Sequence, residues 1–289
     1  MTRLGMPQLA YAGLSETWLL RDCGDRHWLA IAARLGLADP DFRDADGRSA
    51  YAAFLGLRLT QARLGAAREH DRLDVQTRLS RPGPARHLSV HDLHIGPRRI
   101  ARVELLSTFV GRLRPGDNHS VARVSVPADT TGDTTGDATD DAADNGQSDG
   151  DTGLPPLAQR VRALRAGVDL DAEGLLAPPA TLRFSFTPCP RNDFNGAGFL
   201  YFANFAAVLD RAAWDWWREA PQQTTAVREI AWFGNLNVGE TLHVGLLGVH
   251  RDGPGAGHAC ELRAGDGRLL ARALTRRRPA SASAPEPQP

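Results

Sequence analysis

The chain has 289 residues, of which 42% are hydrophobic, and this is enough for one large or two modest folded domains. No run of eighteen apolar residues occurs, and the N-terminal residues lack the apolar stretch of a signal peptide, so we expect neither a membrane span nor secretion. All 34 basic residues are arginine, which excludes Schiff-base and pyridoxal-phosphate mechanisms because both need a lysine amine.

The cysteines and the charge distribution indicate the compartment and the class of partner. Cys23, Cys189 and Cys260 are scattered and form neither a ligand pair nor an even disulfide set, so a reducing cytoplasm fits best. The formal net charge is zero, but residues 128–152 hold eight aspartates and no base, which leaves about +8 on the remainder. A modestly basic body suits an anionic substrate or an acidic partner, and it lacks the basic stripe typical of nucleic-acid binding.

The acidic segment also divides the chain. Its Thr/Gly/Asp repeats contain no large hydrophobic residue, so we predict an unstructured linker over 128–152. An N-terminal domain then covers 1–127 and a C-terminal domain covers 153–278. We expect the tail, 279–289, to be disordered as well.

In the N-terminal domain, one helix precedes four strands. "TWLLRDCGDRHWLAIAARLG" reads as an apolar helix that starts near Ser15 and Glu16. "SAYAAFLGLRLTQARL", "RLDVQTRLSRPG", "RHLSVHDLHIG" and "ARVELLSTFVGRL" read as strands separated by turns.

The C-terminal domain repeats this order. From Gly198 onward, apolar residues recur at steps of three and four, which predicts a buried helix whose start Asp193 or Asn195 can cap. "EIAWFGNL" and "TLHVGLLGVH" then read as strands, and "ELRAGDGRLLARALTR" carries a Gly-Asp-Gly hairpin signal. An internal duplication is the simplest explanation. We therefore predict an α+β double hot-dog fold, in which each half wraps an antiparallel sheet around one long helix.

The loop before the second helix, "RNDFNGAG", is a candidate binding site. Glycines such as Gly196 and Gly198 let a ligand approach the backbone closely, and a helix N-terminus offers unpaired N–H groups to an anion or an oxyanion. The alternative is an ordinary capped core helix.

"DFNGAGFLYFANF" resembles the loop of hot-dog acyl-thioesterases that binds the thioester carbonyl. Together, "GLSETWLLRDCGDRHW", "LLSTFVGR" and "DFNGAGFLYFANF" resemble the leinamycin-type bifunctional acyltransferase/decarboxylase family of polyketide biosynthesis, over most of residues 7–278 outside the linker. The resemblance implies a double hot-dog protein that takes methylmalonyl-CoA, decarboxylates it and delivers propionyl to an acyl carrier protein. It implies no cofactor beyond the CoA thioester.

The resemblance also implies an active-site tyrosine, and Tyr51 in "GRSAYAAF" is our candidate because it opens the first strand after the helix. An amphipathic tyrosine at a strand edge is the alternative. Decarboxylation leaves an enolate whose charge develops on the thioester oxygen, so fixed donors there stabilise it. Asn195 and the Gly196 amide are the donors we expect. Tyr51 could donate a hydrogen bond, reprotonate the enolate or carry the acyl group.

Two further clusters stay open. His87, His91 and His94 have tempting metal-ligand spacing, but alternation along a strand separates His94 from the other two, so we predict no metal site. Asp25 and His27 could form an acid–base dyad equivalent to the Asp193 loop, although helix capping is the simpler reading.

The sequence is compatible with three classes of function. The first is the acyltransferase/decarboxylase, and the second is a hot-dog thioesterase or dehydratase acting on a carrier-bound acyl chain. The third is an acyl-binding or carrier-docking module without catalysis. Homodimer formation stays open. Serine hydrolase, nicotinamide and NTPase motifs are absent from the sequence.

Overall fold

A computed structural model describes residues 1–83, 85–127, 154–178, 180–218, 223–253 and 256–279. The predicted linker, 128–152, and the predicted tail from residue 280 onward lie outside the described residues. Within the described ranges, no helix combines the length and the apolar character needed to cross a membrane.

The described part of the chain includes three α-helices and fourteen strands. The helices are α1 (Glu16–Arg34), α2 (Pro156–Ala166) and α3 (Phe202–Trp217). The strands are β1 (Thr2–Arg3), β2 (Leu9–Ala10), β3 (Gly13–Leu14), β4 (Tyr51–Thr60), β5 (Arg72–Ser80), β6 (His87–Ile95), β7 (Arg98–Arg112), β8 (Val121–Arg123), β9 (Leu175–Leu176), β10 (Arg183–Phe186), β11 (Gln223–Trp232), β12 (Leu242–His250), β13 (Gly257–Ala264) and β14 (Leu269–Pro279).

One antiparallel sheet runs through both halves, in the order β1-β5-β6-β7-β4-β11-β14-β13-β12-β10. The halves join where β4 pairs with β11, with Leu59 opposite Arg228 and Gly56 opposite Ala231. In each half the first strand after the helix is followed across the sheet by the fourth, the third and the second. This shared order supports the predicted internal duplication. The sheet is the dominant element of the fold.

Helices α1 and α3 contact each other and bury their apolar faces against the same face of the sheet, in a core that includes Leu20, Leu57, Phe205 and Leu262. Gly24, in the middle of α1, permits this approach because a Cβ there would lie 2.7 Å from the Phe202 ring. Helix α2, which the sequence did not predict, packs on a second cluster with Leu106.

The predicted start of the second long helix is wrong. The helix begins at Phe202 rather than Gly198, and its N-cap residue is Tyr201 with no side-chain cap. Asp193 and Asn195 instead fold the preceding residues into a compact turn, closed by a bridge between Phe194 and Leu200. Local hydrogen bonds within this turn compete with helix formation.

The start of the first long helix is confirmed. The Ser15 side chain accepts a hydrogen bond from the Trp18 amide, and Glu16 is the first helical residue. The prediction that Asp25 or His27 caps a helix is wrong because both lie in the interior of α1.

Candidate active site

A cavity of about 580 Å³ opens where the two halves meet, a volume within the usual range for ligand pockets. Its walls come from the start of β4, the end of β7, the loop before α3 and the residues that follow β11. Because β4 and β11 are neighbours, residues distant in sequence converge on it. Both Tyr51 and Asn195 line the cavity.

Aromatic side chains form much of the lining. Phe54 and Phe202 have ring centroids 4.3 Å apart, and Trp28 stacks on Phe54 at 5.5 Å. The indole N–H of Trp28 donates to the Ala52 carbonyl at 2.9 Å, which ties α1 to β4. The interior is therefore apolar, rigid and suited to an acyl group.

The two polar atoms of the Asn195 side chain have different roles. Its amide oxygen accepts hydrogen bonds from the Ala197 and Phe199 amides at 3.1 and 3.0 Å, so it closes the turn before α3. Its side-chain NH₂ donates to no described residue and stays available to a ligand in the cavity. The amides of Phe202 and Ala203, in the first turn of α3, also have no acceptor among the described residues.

The other residues predicted in this loop do not line the cavity. Asp193 is buried and accepts from the Cys189 amide at 2.7 Å, so it braces the loop. Gly198 adopts a φ of 74°, which explains the glycine, and its carbonyl accepts from Asn118. Gly196 is exposed.

Two asparagines that the sequence analysis missed hold the loop in place. The Asn118 side-chain NH₂ donates to the carbonyls of Gly198 and Leu236 at 2.8 and 2.6 Å. The Asn235 side chain accepts from the Leu200 amide at 2.9 Å and donates to the Leu200 carbonyl at 3.0 Å. Asn118 follows Gly116 by two positions and Asn235 follows Gly234 directly, a pattern that indicates a turn. The hydrogen-bond partners of both asparagines are fixed by the tertiary structure.

Tyr51 lies half-buried at the first position of β4. Arg112 lies over the Phe199 ring at 3.9 Å and over the Tyr51 ring at 5.5 Å. Arg112 is itself held by the Asn118 side chain, which accepts from its Nε at 2.8 Å, and by the Ala197 carbonyl. No described residue hydrogen-bonds the Tyr51 hydroxyl, so the phenol is free to contact a ligand.

A second phenol belongs to the lining. Tyr201 contacts the Phe202 ring at 5.0 Å and lies beneath the guanidinium of Arg21 at 5.6 Å. Burial raises the pKa of Tyr201 to about 12, so its hydroxyl remains a donor at neutral pH.

The polar groups of the lining are mostly donors. Arg123, Arg165 and Arg268 line the cavity, and no carboxylate, thiol or serine hydroxyl does so among the described residues. The remaining titratable group is His119. Its Nε2 lies 2.9 Å from a carboxylate oxygen of Glu240 and 2.7 Å from Nη2 of Arg268.

Neither Asp25 nor His27 lines the cavity, and the two residues lie on different faces of α1. The His27 ring lies behind the lining, with its centroid 5.0 Å from that of Phe54. Asp25 is exposed, whereas His27 is fully buried with its Nδ1 2.7 Å from the Ser89 hydroxyl and its Nε2 2.7 Å from the Ser107 hydroxyl. Burial, reinforced by nearby His91 and His87, keeps the pKa of His27 well below its usual range.

His91 continues this buried polar chain. Its ring nitrogens lie 2.8 Å from the Ser89 hydroxyl and 2.9 Å from the Thr77 hydroxyl. These hydrogen-bonded side chains therefore connect α1 to β5 and β6, and their satisfied hydrogen bonds are typical of a structural network. Across the described residues, no group of three or more His, Cys, Asp or Glu side chains could hold a metal ion.

Comparison with known proteins shows the fold. Neither a scan against known protein families nor a search of curated proteins finds a match. Among solved structures, the chain is similar to the 12:0-ACP thioesterase from Umbellularia californica, with 13% identity, a TM-score of 0.60, and coverage of 96% of this chain and 95% of that one. It is also similar to a provisionally assigned oleoyl thioesterase from Lactobacillus plantarum, with 9% identity, a TM-score of 0.62 and coverage of 97% and 95%.

A third similar structure is an acyl-ACP thioesterase from Bacteroides thetaiotaomicron, with 10% identity, a TM-score of 0.56 and 96% coverage of both chains. At these identities the likeness concerns the fold alone. It confirms the hot-dog prediction across nearly the whole chain.

Proposed function

We propose that this chain is an acyltransferase/decarboxylase that takes a malonyl-type CoA thioester, methylmalonyl-CoA in the resembled family, and delivers the decarboxylated acyl group to an acyl carrier protein. The observation that carries the proposal is the donor-rich lining of the cavity, with two phenols, the Asn195 amide and three arginines, and no described carboxylate. The shared strand order of the two halves supports a double hot-dog arrangement.

This lining suits a substrate that carries its own carboxylate. An acidic residue would repel the substrate, whereas arginines at the wall attract it. When the bond to the carboxyl carbon breaks, CO₂ leaves and the electron pair forms an enolate with its charge on the thioester oxygen. A fixed donor aimed at that oxygen lowers the barrier by about 3 kcal/mol, and the apolar lining strengthens the effect.

Different contacts hold the two donors in place. Asn195 is fixed by the turn that its own oxygen closes, and Tyr51 is fixed by its edge contact with Phe199. Because neither side chain needs to reorganise, each can meet the developing charge at once. The enolate then takes a proton, and the carrier thiol attacks the thioester carbonyl as the CoA thiol leaves.

Thioester hydrolysis is the second candidate, and one contact favours it. His119 lines the cavity, and the Glu240 carboxylate, which does not, lies 2.9 Å from its Nε2. Such a pair can take a proton from water during attack on a carbonyl. The thioesterase names of the similar structures agree with this candidate.

Intact-mass measurement of a carrier protein separates the candidates. Purified protein is incubated with methylmalonyl-CoA and a holo acyl carrier protein, and the carrier is weighed. A propionyl adduct supports the first function. An unmodified carrier with free acid supports the second, and unchanged substrate indicates a binding module.

A further inference from the structure

The fold carries a second cavity at the position equivalent to the first. The first cavity lies at the start of β4, after β11 and at the end of β7. The corresponding elements of the other half are the start of β11, the residues after β4 and the end of β14, and a cavity of about 190 Å³ lies there. Its lining residues are Arg63, Gly65, Ala66, Thr224, Arg278 and Pro279.

The segment leading into α1 contacts the residues next to this second cavity. A Cβ on Gly13 would lie within 3 Å of the Leu64 carbonyl oxygen, so the two backbones are in direct contact there. At the start of α1, Glu16 accepts hydrogen bonds from Nε of the fully buried Arg228 at 2.9 Å and from the Thr225 hydroxyl. The second cavity has about a third of the volume of the first.

The charge of the second cavity indicates an anion. Two guanidiniums line it, and no carboxylate does so among the described residues. Nη1 of Arg278 donates one hydrogen bond to the Ala62 carbonyl at 3.3 Å. The Arg63 guanidinium has no hydrogen-bond or ion-pair partner in the described part of the chain. A guanidinium carries five N–H donors in a fork that matches phosphate oxygens, and the Thr224 hydroxyl adds another donor.

We propose that this cavity is a binding site for a phosphate group. It is separate from the candidate active site because Tyr51 begins β4 and Arg63 follows its end, and the ten residues of β4 span roughly 30 Å of extended chain. The proposal does not rest on the proposed enzymatic function, since phosphate binding is measured without turnover.

The test compares inorganic phosphate with sodium chloride at matched ionic strength. Calorimetric titration gives the affinity, and thermal unfolding gives an independent readout because a ligand that binds only the folded state raises Tm. We expect wild type to bind phosphate. Arg63→Gln and Arg278→Gln should each weaken binding about tenfold, since each removes charge-assisted hydrogen bonds. Arg72→Gln, which removes an exposed arginine on β5, is the matched control and should bind as wild type does.

Two results would overturn the proposal. One is equal stabilisation by phosphate and by chloride, and the other is equal phosphate affinity in all three variants. A comparison of CoA with 3′-dephospho-CoA distinguishes the sources of the phosphate. If removal of the 3′-phosphate and Arg63→Gln weaken CoA binding to the same extent, the site takes a CoA phosphate. If inorganic phosphate alone responds to Arg63→Gln, the site takes the free ion.

Discussion

The rings of Tyr51 and Phe199 meet edge to face, with centroids 5.2 Å apart and planes at 80°. This contact joins the first residue of β4 to the loop before α3, two segments that are nearly 150 residues apart in the sequence. It fixes the phenol at the cavity wall without engaging its hydroxyl.

Replacing Tyr51 with Phe should separate packing from chemistry. The substitution keeps the ring contact with Phe199, so the thermal unfolding midpoint should barely change. Acyl transfer to the carrier should fall about a hundredfold, because a positioned donor or nucleophile is lost. If wild type gains acyl mass from methylmalonyl-CoA alone and the variant does not, Tyr51 carries the acyl group. Full activity in the variant would remove Tyr51 from the mechanism.

Two substitutions at Asn195 should have different effects on the loop. Asn195→Asp keeps an oxygen for the Ala197 and Phe199 amides, so the fold should survive while the NH₂ donor is lost. Turnover should drop by roughly two orders of magnitude. Asn195→Ala removes the acceptor as well and should also lower stability by about 1 kcal/mol. Unchanged turnover in the stable Asp variant would contradict the donor role.

Substitutions at His119 and Glu240 should distinguish acyl transfer from thioester hydrolysis. If the pair activates water, His119→Gln and Glu240→Gln should each slow release of free acid about a hundredfold, because the general base or its partner is lost. If the decarboxylating transfer is the function, propionyl transfer should persist in both variants. Carrier mass and free acid, quantified in the same reaction, give both answers.

Arg123 should contribute to substrate capture. It is exposed at the cavity wall, and no described residue pairs with its guanidinium. Arg123→Gln should raise KM for an anionic thioester several-fold with little change in kcat, and added salt should diminish the difference because exposed charges are screened within about 10 Å at 0.1 M. Arg72→Gln is again the control. Identical KM values for both variants would exclude Arg123 from binding.

The buried, hydrogen-bonded histidines His27 and His91 predict that the folded state loses stability in acid. Burial lowers the pKa of His91 to about 4, whereas an unfolded imidazole titrates near 6.5. Between these values the unfolded chain binds more protons, so the free energy of unfolding should fall as the pH drops from about 6.5 to about 4. His91 alone contributes on the order of 3 kcal/mol to this loss.

Denaturant unfolding at several pH values checks this dependence. His91→Gln should be less stable than wild type near neutral pH but should lose less stability on acidification. His70→Gln, at an exposed histidine, should retain the wild-type slope. A slope that is identical in all three proteins would show that the buried chain does not control acid unfolding.

Much of the fold could be predicted from local sequence. Alternating apolar residues predicted β4 to β7, the Gly-Asp-Gly turn predicted the hairpin of β13 and β14, and Ser15 marked the start of α1. These signals succeed because strand alternation, turn geometry and side-chain capping depend on neighbours within a few residues. Helix α2 was missed, although it has a proline in its first turn and apolar Leu157, Val161 and Leu164 at helical spacing.

The candidate site was predicted only in part. The sequence indicated Tyr51 and Asn195, and both line the cavity. It also indicated Asp193, Gly196, Gly198, Asp25 and His27, none of which does. Asp25 and His27 are close in sequence, yet α1 turns about 100° per residue and places them on different faces.

The tertiary structure alone decided which asparagines hold the loop and which groups stay free. Asn118 and Asn235 gain their roles from partners 80 and 35 residues away, distances that no local pattern encodes. Likewise, the contacts of Gly13 with Leu64 and of Glu16 with Arg228 join residues far apart in the sequence. The sequence by itself determined the strands, the helices and their repetition, because those follow from periodicity. Pairing of β4 with β11 decided where the cavity lies, because it joins the strands of the two halves into one sheet.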